Sequence, residues 1–346
     1  MLMVIVLHAL GHGGVLGKLT PFDGSYYIYE TIEAISFVAV NVFIIISGYY
    51  LCYSKFKIFR VVKLIGQVFF ISLLIYLILV ILKLEIFSIK NLFYSIFPVS
   101  TGQYGFVTNY IILCCMSPFI NIMISNMSQK IFKRMLIIML IFFCIIPNVF
   151  FFVDPLLINH GQSLVWFIIL YLIAAYIRIH VDLNKINMNK LVKKYLAVTA
   201  IIPLSKFCLD WGEWLISKKF LGSGIFYFYN SIPVVASSIL LFCIFTKINI
   251  TKKMTQEVIK FLSEGCFYVY LIHDNPFVRE HIWTMLNMPD LIIREGVLSI
   301  IVFIILIIFI YIIALIIGKV IDMAYTQSLY KLMTKFTKAF NNKVSI

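Results

Sequence analysis

The sequence predicts an all-α fold: a polytopic membrane helical bundle of about ten transmembrane helices, with both termini cytoplasmic. Three observations predict it. Of the 346 residues, 62% are hydrophobic and 13% are charged, and the mean hydropathy is +1.01, which no soluble domain with a single core sustains. The apolar residues fall into ten runs, nearly all long enough to cross about 30 Å of hydrocarbon at about 1.5 Å per residue. The cations concentrate in alternate loops.

The runs lie at 1–17, 33–54, 61–82, 103–125, 135–153, 162–177, 195–210, 225–246, 261–277 and 297–318. The first is unusual: about ten apolar residues precede the glycines at 11, 13 and 14, about half of what a crossing needs, and those glycines are expected to end the helix. No cation marks its inner end, so the reading frame is expected to continue upstream. The sixth, seventh and ninth runs are short or polar, which predicts burial among other helices. No repeat, low-complexity tract or soluble domain interrupts 1–318, and 319–346 reads as a basic tail that lies on the cytoplasmic membrane surface.

Orientation follows from Lys and Arg. The loops after the second, fourth, sixth, eighth and tenth runs, with the tail, hold 21 of the 29 cations, among them Lys55, Arg134, Lys194, Lys253 and Lys319. The other loops hold 11 of the 15 acids. The net charge of +14 is therefore a topology signal, and the lipid bilayer rather than nucleic acid is the expected partner. None of the seven cysteines has C-x-x-C spacing, so zinc, redox and disulfide frameworks are not expected. The first run lacks a basic leader and a small-residue cleavage site, so no cleavable signal peptide is expected.

Polar residues inside such runs are expensive and mark function or interhelical hydrogen bonds. VLHALGHGG (6–14) places His8 among Val, Leu and Ala, with His12 four residues on. VNVFIIISGYYL (40–51) carries Ser47, about 12 Å from the inner boundary at Lys55. YVYLIHDNPFVRE (268–280) sets His273 and Asp274 about 20 Å from Lys260, just before the helix-limiting Pro276. GQYGFVTNY (102–110) opens the fourth run with Asn109, and HGQSLVWFIILYLIAAYIR (160–178) carries Trp166 and Tyr171. His8, Ser47, Tyr171 and His273 are expected to meet in the middle to outer half of the bundle. Each has a plainer reading beside the catalytic one. His8 serves equally as an interhelical donor, Ser47-Gly48 as a small-residue packing contact, and His273-Asp274 as a helix cap.

Taken together, VIVLHALGHGG (4–14), VNVFIIISGYYL with KFKIFRVVKL (55–64), WFIILYLIAAYIR (166–178) and FYVYLIHDNPFVR (267–279) resemble the bacterial membrane acyltransferase family 3. Its members are integral membrane O-acetyltransferases of surface polysaccharides and O-antigens. The resemblance covers almost the whole chain. It implies a multi-pass protein of the bacterial inner membrane that moves an acyl group, usually acetyl from acetyl-CoA, to a sugar hydroxyl of a lipid-linked or polymeric glycan. His8 corresponds to the family's helix-1 His, the base or acyl relay. Arg60 and Lys63 correspond to its basic pair at the start of helix 3, with Lys as the second member, which weakens bidentate phosphate contact. The family also carries an Arg about ten residues before that His, and an upstream extension is expected to supply it.

The residues themselves fit this chemistry. A neutral imidazole is the usual base for a poorly nucleophilic sugar hydroxyl, which makes His8 and His273 catalytic candidates, with the Ser47 hydroxyl as the third. Acyl transfer needs an oxyanion donor, for which Ser47, Asn109 and Tyr171 are candidates. Arg60 and Lys63 stand at i, i+3 on one helix face, where CoA phosphates arrive, although a positive-inside stop looks the same. Trp166 and Asp274 complete the expected substrate contacts. Acyl-CoA and a glycan are the expected partners, with no permanently bound cofactor and no metal. The alternative is a non-enzymatic glycan or lipid-carrier flippase, which calls for pseudo-symmetric halves with paired broken helices. No second copy of HALGHGG or LIHDNP is evident. A purely structural partner in an assembly complex is a third reading, and it leaves the histidines unexplained.

Overall fold

A computed structural model describes residues 1–150, 156, 158–220 and 224–326, and among them the regular structure is helical with no strand. The chain opens with α1 (Leu2–Gly11), α2 (Val15–Lys18), α3 (Tyr26–Ser36) and α4 (Val38–Leu51). It continues through α5 (Ile58–Ile81), α6 (Ile89–Ile96), α7 (Gly105–Ser125), α8 (Gln129–Leu140) and α9 (Ile146–Val149). A π-helical turn over Ile141–Ile145 joins the last two. Then come α10 (Leu164–His180), α11 (Met188–Ser217), α12 (Ile232–Thr246) and α13 (Lys253–His273). The described chain finishes with α14 (Pro276–Leu286), α15 (Met288–Glu295) and α16 (Ser299–Tyr325).

Each apolar run predicted from sequence overlaps at least one of these helices. By length and composition, five stretches can cross a membrane: Tyr26–Leu51, Ile58–Ile81, Gly105–Ser125, Gln129–Val149 and Pro276–Tyr325. Leu2–Lys18, Leu164–His180 and Ile232–Thr246 are shorter apolar helices. This is a helical membrane protein.

Several boundaries differ from expectation: α8, α11 and α13 begin at Gln129, Met188 and Lys253, ahead of the runs at 135, 195 and 261, and α11 runs on to Ser217. The second run begins at Tyr26 rather than 33, because α3 and α4 follow one another through a helical Phe37. The segment between the ninth and tenth runs folds as α14 and α15, with Pro276 and Pro289 in their first turns, where a missing N–H costs nothing. Helix α16 continues past Lys319 to Tyr325, while the tail over 327–346 and the end of the fifth run at 151–153 lie outside the described residues.

Helix starts follow local chemistry. The side chains of Ser128, Ser163, Asn187 and Asn275 each accept a hydrogen bond from a backbone N–H in the first turn of the helix they precede, an interaction worth about 1 kcal/mol. Gly14 has φ +71°, the left-handed conformation that turns the chain after α1.

Two large apolar cores result among the described residues, beside a small cluster of Ala34, Ile202 and Val234. One joins α1, α5, α13 and α16 around Ile5, Val68, Leu271 and Ala314. The other surrounds α10, whose Trp166, Leu170, Tyr171 and Ala174 are fully buried against α4, α7 and α8. Gly48 makes the second core possible. A Cβ there would lie 2.9 Å from Tyr171 Cα and 3.0 Å from Ala174 Cβ, so only glycine lets α4 and α10 approach this closely. At the end of the first core opposite His8, the side chains of Gln67, Tyr268 and Asp322 hydrogen-bond in a chain that links α5, α13 and α16.

Candidate active site

The site forms where α1 ends beside the break between α13 and α14. His8 and His12 are one turn apart on α1, so their rings face the same way, with centroids 5.2 Å apart. Across from them the chain breaks after His273. Asp274 closes α13, and Asn275 caps α14 by accepting from Phe277 N at 3.0 Å. Pro276 enforces the break, since it cannot continue the preceding ladder. Asn275 Nδ2 donates to Tyr104 Oη at 2.8 Å, and Tyr104 in turn donates to the Leu271 carbonyl at 2.9 Å. The break is thus held in one orientation by hydrogen bonds sealed in the interior.

Within this frame His8 Nδ1 lies 3.1 Å from His273 Nε2 and 3.4 Å from Asp274 Oδ1. His273 Nδ1 contacts the Val269 carbonyl at 2.6 Å. A carbonyl only accepts, so His273 carries its proton on Nδ1 and, when neutral, offers a lone pair at Nε2. His8 Nδ1 then supplies the hydrogen between the rings, and the lone pair of neutral His8 sits on Nε2. One nitrogen, His8 Nδ1, thus faces both the second imidazole and the carboxylate.

Arg279, on the second turn of α14, places Nη1 3.3 Å from Asp274 Oδ1 and 3.5 Å from His12 Nε2. Exposure rises outward, with His273 sealed and the side chains of His8 and Arg279 20% and 32% exposed. One nitrogen each of His8 and His12 and an Asp274 oxygen come within 4.8 Å of one another, close enough to hold one metal ion. The guanidinium already answers the charge on Asp274, and a divalent ion there would face it.

Of the residues singled out in the sequence, His8, His273 and Asp274 come together. The others do not join them. Ser47 Oγ donates to Tyr110 Oη at 3.3 Å, and Tyr171, fully buried, donates to Asn121 Oδ1 at 2.7 Å. Trp166, also fully buried, spends its N–H on Asn41 Oδ1 at 3.2 Å. The expectation that Ser47 and Tyr171 meet the histidines is corrected: both side chains tie α4, α7 and α10 together. Trp166 and Tyr171 offer a substrate no surface in this structure. Asn109 reaches across to the Gln162 carbonyl at 2.8 Å. Arg60 and Lys63 are exposed on the first turns of α5, where Arg60 donates to Ser54 Oγ at 2.9 Å.

Comparison with known proteins decides the family. A sequence model described as an acyltransferase domain, that of acyltransferase family 3, matches residues 1–319. The chain belongs to acyltransferase family 3. No curated protein and no solved structure matches it. Acyl transfer is the family's chemistry, and the matched region contains every residue of the His8 cluster.

Arg279, Tyr104 and Tyr270 were missed in the sequence. Arg279 stood in the quoted FYVYLIHDNPFVR, five residues beyond Asp274. Helical periodicity does not pair i with i+5 on one face, and only the break at Pro276 brings them together. Tyr270 packs edge-on to His273 with centroids 6.1 Å apart. In sequence it is one aromatic among the 20 tyrosines of an aromatic-rich chain.

Proposed function

We propose that this acyltransferase moves an acyl group, acetyl in the simplest case, from acyl-CoA to a sugar hydroxyl of a cell-surface or lipid-linked glycan, with His8 as the general base. One observation carries the reading: the tautomer chain from the Val269 carbonyl through His273 leaves the lone pair of His8 on Nε2. A hydroxyl at that nitrogen gives up its proton as its oxygen attacks the thioester carbonyl. The carbonyl π electrons move to oxygen, the C–S bond then breaks, and the His8 proton passes to the departing CoA thiolate.

The surroundings support the step. Protonated His8 has a positive charge shared along Nδ1–H with His273 Nε2 and Asp274 Oδ1, so the ion pair forms without moving the ring. Arg279 is the cation on the open side of the site and the nearest donor for a developing oxyanion. Arg60 and Lys63 supply positive charge for CoA phosphates on the cation-rich, cytoplasmic side.

The test is His8→Asn in the producing cell. An amide keeps hydrogen bonding but cannot take a proton, so glycan acylation should fall by about 10²–10⁴-fold while membrane protein level stays near wild type. Full acylation by a well-expressed His8→Asn protein would end the reading.

A further inference from the structure

The ends of α1 and α13 bring together more nitrogen and oxygen donors than the proposed reaction uses. His8 Nδ1 stands 3.1 Å from His273 Nε2 and 3.4 Å from Asp274 Oδ1. A tetrahedral zinc ion with bonds of about 2.0–2.1 Å spaces its ligands about 3.3 Å apart. These atoms therefore already stand at the separation of ligands on one ion. His12 adds a further donor. One of its nitrogens comes within 4.8 Å of a His8 nitrogen and an Asp274 oxygen. Its side chain lies at the exposed end of α1, where it can turn inward.

We propose that His8, His12, His273 and Asp274 bind a zinc ion, and that the bound ion switches His8 off as a base. The inference rests on the base reading of His8 and names a regulation of that same site; catalysis itself needs no metal. His273 is prepared as a ligand. Its Nδ1–H is spent on the Val269 carbonyl at 2.6 Å, the outer bond that metal-ligating histidines usually make, and Nε2 is left bare. His8 has to change tautomer. An ion on Nδ1 takes the lone pair there, so the single hydrogen of the neutral ring moves through solvent to Nε2. No proton is gained or lost, yet the nitrogen that received the acceptor's proton now carries one. Zinc thus silences His8 from the far edge of its ring without taking the place of the hydroxyl. Imidazole nitrogens with a carboxylate suit zinc, whereas magnesium and calcium call for oxygen ligands.

Arg279 decides how tightly the ion is held. Its Nη1 lies 3.3 Å from Asp274 Oδ1 and 3.5 Å from His12 Nε2, so the guanidinium holds two of the donors from the more exposed side. It has to turn toward water as the ion arrives. The side chain is 32% exposed, which leaves that turn open. A positive charge so close lowers the affinity for a second cation, and the ion competes with Arg279 rather than with substrate. The result is a site that a chelator empties readily.

The test begins without substrate. Intact protein in detergent, carrying no histidine tag, is titrated with Zn²⁺ against a fluorescent chelator, and one ion per chain is expected. His12→Asn removes an exposed donor and should weaken binding by about tenfold or more. Arg279→Gln removes the competing charge and should tighten it by about three- to tenfold. Opposite shifts of this kind do not arise from general damage to the fold. In rates of labelled acetyl transfer by membranes, saturating Zn²⁺ should then lower turnover by about tenfold or more, with the KM for acetyl-CoA unchanged and full recovery on adding chelator. Less than one ion per chain, or a His12→Asn affinity equal to wild type, overturns the site. An unchanged affinity in Arg279→Gln overturns the competition. Undiminished turnover at full occupancy overturns the switch, and the His8→Asn test above decides independently whether His8 is the base.

Discussion

His8 Nδ1 and His273 Nε2 lie 3.1 Å apart although 265 residues separate them in the chain. On the reaction proposed above, His273 is a positioning residue: it accepts from the Nδ1–H of His8 and leaves Nε2 bare. His273→Asn keeps a polar group but breaks the link from Val269 to His8. The turnover rate should fall by roughly tenfold to hundredfold with the KM for acetyl-CoA unchanged, in rates of labelled acetyl transfer by membranes. A raised KM with unchanged turnover would refute the relay.

Asp274 and Arg279 should act as one unit. Asp274 Oδ1 meets both His8 and Arg279, so Asp274→Asn and Arg279→Gln each remove one partner of a poorly solvated charge pair. The double variant should be no slower than the slower single variant, because the shared interaction is lost only once. Rate losses that simply multiply would show that the two side chains work separately.

Gly48→Ala tests the packing of α4 on α10 rather than the chemistry. Its new Cβ meets backbone and Cβ atoms of α10 at 2.9–3.0 Å, so the two helices must separate. Overpacking of this kind costs about 1–3 kcal/mol and should lower the unfolding midpoint in detergent. Gly11→Ala is the control, since nothing lies within 4 Å of a Cβ there. A Gly48→Ala protein as stable as wild type would mean that α4 and α10 are not held at this distance.

At the other end of the bundle, Arg60→Ala and Lys63→Ala should raise the apparent KM for acetyl-CoA while the protein remains in the membrane. The expected cause is the loss of charge-assisted contacts to phosphate. Unchanged kinetics in both variants would return the pair to a purely topological role.

The class of molecule and the approximate course of its helices are legible in the residues alone. Long apolar runs leave the backbone no better partner in a membrane than its own helix, and the proline and cap residues around 274–276 state where α13 must stop. His8, His273 and Asp274 were legible because ionisable side chains in apolar runs are costly enough to need a reason. Only tertiary structure decided which polar residues meet. Residues such as Ser47 and Tyr171 lie in helices apolar on all sides, so periodicity does not tell which face turns toward which neighbour. The approach of α4 to α10 at Gly48 directs Tyr171 to Asn121 and leaves Ser47 with Tyr110. The break at Pro276 swings Arg279 back onto Asp274. Local sequence sets a helix's length and ends, whereas its rotation and crossing come from side-chain shapes supplied by segments hundreds of residues away.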